Sequence, residues 1–183
     1  MNVLKSLARR EPLRQRQHVY RSRRLSSGGR MEARYDFHMQ PVVEPDHPLG
    51  AMLIIVTDDH KLVLHHRDDI QGIAHPGCWA GFGGAVEAGE TVEVALRREF
   101  MEETGLEAQN PIYLIDEIDL EGDGRLVSLF FIIGGIQPQD INLREGQGIG
   151  VFSISELADL NISPFVRRAI HAHLLPMLSS TEG

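Results

Sequence analysis

The stretch Gly83–Leu106, "GGAVEAGETVEVALRREFMEETGL", narrows the choice of fold more than any other part of the chain. It begins in a glycine turn and then changes period. Val92, Leu96 and Phe100 are spaced by four, the pattern of a helix with one buried stripe. Thr91 is placed to cap its first turn, and Gly105 to stop it. The polar side of that helix is acidic. Glu99, Glu102 and Glu103 stand at i, i+3 and i+4, inside one arc of a helical face. Such like-charge neighbours are each unfavourable by a few tenths of a kcal/mol on an isolated helix. A divalent cation would reverse the sign, because converging carboxylates are hard oxygen ligands suited to Mg²⁺ or Mn²⁺. Magnesium shares its shell with phosphate oxygens, so the pattern points to phosphate chemistry.

The flanking sequence supplies strands. "AMLIIVTDD" and "KLVLHHR" read as a hairpin across Asp58–His60, and "CWAGFGG" as a short strand ending in glycines. "PIYLIDEIDL" and "RLVSLFFIIGGI" are two strands joined by "EGDG", and "GIGVFSI" is the last strand. Ser153 and Glu156 have capping-box spacing for a short helix. Ser163 and Pro164 open a final helix, which Pro176 is expected to end. A central and a terminal helix among mixed strands describe an α/β (α+β) domain around a mixed sheet.

Charge divides the chain into two parts. Residues 1–30 hold nine Lys/Arg and one acid, whereas residues 31–183 hold nine Lys/Arg against 25 Asp/Glu. Residues 1–45 are therefore expected to be a basic, disordered extension, and residues 46–178 the folded domain. The Arg-rich, Ser-containing start also has the composition of an organelle transit peptide. The acidic body argues against nucleic-acid binding. No apolar run approaches the length of a membrane helix. The single cysteine, Cys78, rules out an internal disulfide framework and suits a reducing, cytoplasmic setting.

One phosphate-binding alternative fails. "GAVEAGET" has P-loop glycine spacing but puts Glu90 where the phosphate-binding lysine belongs. The complete pattern instead resembles the Nudix box, the signature of the Nudix hydrolases. It runs from Gly84 through Glu90, Arg98-Glu99-Phe100 and Glu102-Glu103 to Gly105 and Leu106, and every fixed position of that box is present.

The resemblance implies an α/β/α sandwich with a mixed β-sheet between helices. It also implies Mg²⁺-dependent hydrolysis of a diphosphate linkage in a small nucleotide. Carried over by position, Glu99, Glu102 and Glu103 would hold the metal, with the backbone carbonyl of Gly83. Glu102 or Glu103 would also touch the attacking water. Arg98 and Glu90 resemble the internal ion pair of the box. "REGQGIGVFSISEL" is similar to the "EGQ" segment of MutT-type enzymes, which makes Glu145 a general-base candidate. Arg67 and Trp79 are candidates for substrate contact, through guanidinium–phosphate pairing and indole stacking.

The MutT-like segment implies a nucleoside triphosphate as substrate. The position of the MutT base-reading Asn is expected to hold an apolar residue, Phe165 or Val166, so selectivity for an oxidised guanine should be modest. A homodimer is compatible with these features. The competing expectation is a Nudix-fold module that binds nucleotide or RNA without hydrolysis, and the complete set of box glutamates weighs against it.

Overall fold

The computed structural model describes residues 48–179. The expected basic extension at 1–45 lies outside them. Seven strands form one sheet: β1 (Leu49–Val56), β2 (Leu62–His66), β3 (Trp79–Ala80), β4 (Phe82–Ala85), β5 (Ile112–Ile118), β6 (Leu126–Ile133) and β7 (Gly148–Phe152). Its central path runs β3-β2-β1-β6-β5, with β4 also paired to β1 and β7 to β2. β1 and β6 are parallel, with Leu53 opposite Phe130. The other pairings are antiparallel, so the sheet is mixed.

The single strand expected at "CWAGFGG" is divided. β3 pairs with β2, and β4 pairs with β1. Gly81 lies between them against the Leu53 carbonyl, where a Cβ would come within 2.5 Å of that oxygen. The chain can therefore change pairing partner at this position only with the smallest side chain.

Alternation along β1 sends side chains to two cores. Ala51, Leu53 and Ile55 face α1 (Val92–Thr104), meeting its Leu96 and Phe100. Met52, Ile54 and Val56 face the opposite layer, which contains Phe165, Val166, Ile170 and Leu174. That layer is α2 (Pro164–Ala169), continued by a π turn at Ile170–Leu174 into α3 (Leu175–Ser179). The sheet thus lies between helices.

Both sequence caps of α1 are present. Val94 N–H donates to the Thr91 hydroxyl at 3.3 Å. Gly105 takes the left-handed conformation and its N–H bonds the Met101 carbonyl. Pro176 does not end the terminal helix, as the sequence suggested. The chain widens one turn earlier, where Leu175 N–H reaches back five residues to Ile170 O. Within such a widened turn the register of bonds shifts, and a proline is accommodated without a break. Ser153 and Glu156 cap as expected, with Ser153 N–H donating to the Glu156 carboxylate at 2.7 Å. The turn they open is a 3₁₀ helix, Ile154–Ala158. Among the described residues, no helix is long and apolar enough to cross a membrane.

Candidate active site

The glycine turn packs against α1 because glycine alone leaves room for the carboxylates. A Cβ on Gly84 would stand 2.6–2.7 Å from the carboxylate of Glu99. One residue earlier, Gly83 N–H donates to Glu103 Oε2 at 2.8 Å. Gly83 pairs with Met52 of β1, so strand β4 places this N–H against the helix.

Glu103 is 4% exposed, which is unusual for a carboxylate. Burial pushes its carboxyl up to about 8, against the favourable Gly83 N–H, and the negative charges of Glu99 and Glu145 push in the same direction. Arg67 gives a smaller, opposite contribution.

The loop carrying Glu145 is tied down at both ends. Arg144 N–H donates to Glu103 O at 2.9 Å and Asn142 N–H to Thr104 O at 3.0 Å, capping the carbonyl end of α1. Gln147 N–H donates to His66 O at 2.8 Å, and its side-chain amide donates to Arg67 O at 2.7 Å.

Glu102 lies elsewhere on the helix. Its side chain is 55% exposed and accepts from Arg98 Nη1 at 3.2 Å. Arg98 is the organiser of this outer side. Its Nε and Nη2 donate to the two oxygens of Glu90 at 2.8 and 2.9 Å, its Nη1 to Glu99 at 2.9 Å, and its Nη2 also to Ala85 O at 3.0 Å. This bidentate pairing holds the Glu90 carboxyl down at about 2, helped by the Glu87 N–H. The ion pair expected within the box is therefore present, and it also bonds the backbone of β4.

A cleft adjoins the turn. Gly83 and Gly84 form one edge, and Arg67, His75, Asp119, Arg125 and Ser163 contribute polar groups. His75 Nε2–H donates to Asp119 Oδ1 at 2.7 Å, a buried contact across 44 residues of sequence. The Ser163 hydroxyl is fully buried and has no hydrogen-bond partner among the described residues. It begins α2 but its side chain caps nothing.

Of the two residues expected in place of a base-reading Asn, Phe165 lines the cleft, whereas Val166 is fully buried core. The polar group at the start of α2 is instead Ser163. Arg67 lines the cleft, with its Nε held by Ala74 O at 2.9 Å. The structure does not bring Trp79 there. Its ring stacks on His66 at 4.5 Å and meets the edge of Phe152 at 4.8 Å, on the margin of the core. Ser163, His75 and Asp119 reach this cleft only through long-range folding, which their positions in the sequence do not signal.

Comparison with known proteins agrees with this architecture. The NUDIX domain model matches residues 46–173. The chain is 33% identical over 117 residues to an ADP-ribose pyrophosphatase of Methanocaldococcus jannaschii, covering 61% of this chain and 68% of that one. It is 37% identical over 84 residues to the nucleoside triphosphatase NudI of Escherichia coli, covering 43% of this chain and 59% of NudI. That second match spans less than two thirds of the relative. Among solved structures, a MutT Nudix hydrolase from Burkholderia pseudomallei shares the fold with a TM-score of 0.57 at 24% identity, covering 68% of this chain and 95% of that one. A MutT protein from Methanosarcina mazei Go1 does so at 0.55 and 19%, covering 71% and 94%.

Proposed function

The chain belongs to the Nudix family of hydrolases, and from that premise we propose that it hydrolyses a nucleoside triphosphate between the α- and β-phosphates. The observation that carries this reading is the corner where Glu103 is buried against Gly83 N–H, with the loop that bears Glu145 bonded to the same helix end.

The donor set suits a divalent cation. Its side chains are all carboxylates, and Glu103 carries a burial and repulsion cost that a cation would relieve. Among the described residues, no three acidic or histidine side chains are already gathered at ligand distance. Glu99 and Glu102 lean on Arg98 instead. Glu99, Glu102 and Glu103 would hold Mg²⁺ or Mn²⁺, with the Gly83 carbonyl. A bound ion there would neutralise phosphate charge and lower the pKa of a coordinated water.

The chain's own groups supply the rest. Gly83 N–H fixes one oxygen of Glu103, and the other lies 3.6 Å from His65 Nδ1. Arg98 holds the helix to the glycine turn through Glu90 and Ala85 O. Glu145 would accept the proton of the attacking water, since its loop is held against the end of α1. The adjoining cleft would receive the nucleoside half, with Arg67 and Arg125 available to phosphate or sugar oxygens. Its buried Ser163 hydroxyl is matched to a ligand hydrogen bond.

The name of NudI supports a triphosphate, and that of the Methanocaldococcus relative supports ADP-ribose. The folding of the "EGQ" loop onto the site favours the triphosphate. Turnover of dGTP, 8-oxo-dGTP, ADP-ribose and a nucleotide sugar, in Mg²⁺ and then in EDTA, tests the proposal. Monophosphate and pyrophosphate are the expected products, with modest preference for 8-oxo-dGTP. A strong ADP-ribose preference would overturn the substrate class. No hydrolysis of any compound, with tight nucleotide binding, would favour a binding module.

A further inference from the structure

His65 is 3% exposed near the end of β2 and stacks on Phe82, with ring centroids 5.4 Å apart. Its Nε2 lies 2.9 Å from the backbone carbonyl of Glu145. A carbonyl can only accept, so of the two ring nitrogens Nε2 carries a proton, whatever the state of Nδ1. That Nδ1 is buried, has no hydrogen-bond partner among the described residues, and faces Glu103 Oε1 at 3.6 Å. The carboxylate oxygen left uncommitted is the one not bonded to Gly83 N–H.

The loop is built around this contact. Gly146 has φ 81, and a Cβ there would overlap His65 Nε2 and stand 2.7 Å from His66 O. The glycine of "EGQ" is thus the residue that lets the loop close over the imidazole.

We propose that His65 is a positioning residue: its Nε2–H holds the Glu145 carbonyl and so fixes the loop that presents the Glu145 carboxylate. The role rests on the reading of Glu103 and Glu145 as site groups. A side chain that could not donate to Glu145 would let the base swing from its place. Misplacing a reacting group by about 1 Å costs on the order of a hundredfold in rate.

The test compares wild type, Glu145→Gln, His65→Leu and His65→Gln in steady-state hydrolysis of dGTP. Leucine fills the space without a donor, and glutamine can place an amide N–H near the position of Nε2. His65→Leu should lower kcat about thirty- to a hundredfold with KM changed less than about threefold. His65→Gln should recover about tenfold of that loss. In the metal-free protein, imidazole ¹⁵N shifts should report the Nε2–H tautomer. Amide exchange at residues 145–147 should quicken in His65→Leu and stay slow in His65→Gln.

An Nδ1–H tautomer would overturn the proposal. So would near-wild-type kcat in His65→Leu, a glutamine variant no better than leucine, or an active Glu145→Gln in a protein that otherwise turns over. If wild type hydrolyses nothing, the hydrolase reading fails, and the tautomer and exchange measurements still decide the contact.

Discussion

On the outer side of α1, Arg98 gathers Glu90, Glu99 and Glu102 in a partly solvated network of matched charges. On the inner side, Glu103 is buried against Gly83 N–H, with His65 Nδ1 3.6 Å from its other oxygen. Both corners arise from the same glycine turn and helix. Their carboxyls move in opposite directions: Glu90 is held at about 2 by Arg98, whereas burial takes Glu103 to about 8. The contrast separates two uses of charge. The outer corner fastens helix to turn, and the inner one buries a carboxyl whose charged form has no matched positive charge beside it.

Glu103→Gln breaks the comparison most severely. The amide keeps an oxygen for Gly83 N–H and removes the charge, so turnover should fall by about a thousandfold or more, on the order of 4 kcal/mol of barrier. Stability should respond with the opposite sign. Because the folded carboxyl lies at about 8, above its ordinary 4.5, the folded state keeps a proton that the unfolded state loses. Metal-free wild type therefore loses stability as pH rises from about 4.5 to about 8, and the deficit is constant above that. The Gln variant should lack this slope and be more stable at pH 8 by on the order of 2 to 4 kcal/mol. Denaturant melts in EDTA at pH 5 and pH 8.5 measure it. A wild-type slope of zero would show that Glu103 is not the strained group.

Glu102→Gln sharpens the same contrast on one helix face. Glu102 is exposed and bonded only to Arg98 among the contacts described, so its charge costs the metal-free fold little. If it joins the metal, turnover should drop by about a hundredfold. A larger loss than Glu103→Gln would reverse the assignment of inner and outer roles.

The difference between the corners also marks what was readable in advance. α1 was legible because its stripe, its Thr91 cap and its Gly105 stop are all local. The box acids and Glu145 could be named, but nothing in their spacing separated Glu103 from Glu102. That distinction comes from which side of the helix meets β4. The His65 and His75 contacts join residues 80 and 44 positions apart, so they follow from strand pairing and loop packing. The place of Trp79 was hidden for a related reason: an indole suits base stacking and core packing equally, and β3 turns it toward His66 and Phe152. Pro176 misled because a proline reads as a helix end unless the preceding turn widens, and that widening has no local signature.

Arg98→Lys tests the outer corner. Lysine keeps the charge but loses the fork that binds Glu90 with two nitrogens. Turnover should fall about tenfold, the lower end for a group that orients metal ligands, with a small fall in Tm. The pH signature is opposite to that of Glu103. A depressed carboxyl stabilises above its ordinary 4.5 and loses that contribution as pH falls toward about 2. Acid unfolding of Arg98→Lys should therefore begin at higher pH than in wild type. Unchanged acid unfolding would remove Glu90–Arg98 as a fastener.

The smallest effect is expected in the cleft, at Ser163→Ala. Its hydroxyl is buried without a partner, so removing it takes away an unmet polar group, and stability should stay level or rise by up to about 1 kcal/mol. Neither corner of α1 touches this hydroxyl, and kcat should remain near wild type. If the cleft receives the nucleoside, KM should rise about three- to tenfold, as expected for one neutral hydrogen bond. The rise should differ among bases, because each presents a different donor and acceptor edge. An equal rise for every nucleotide would assign the hydroxyl to sugar or phosphate. No rise at all would place the nucleoside outside this cleft, while leaving the chemistry at Glu103 untouched.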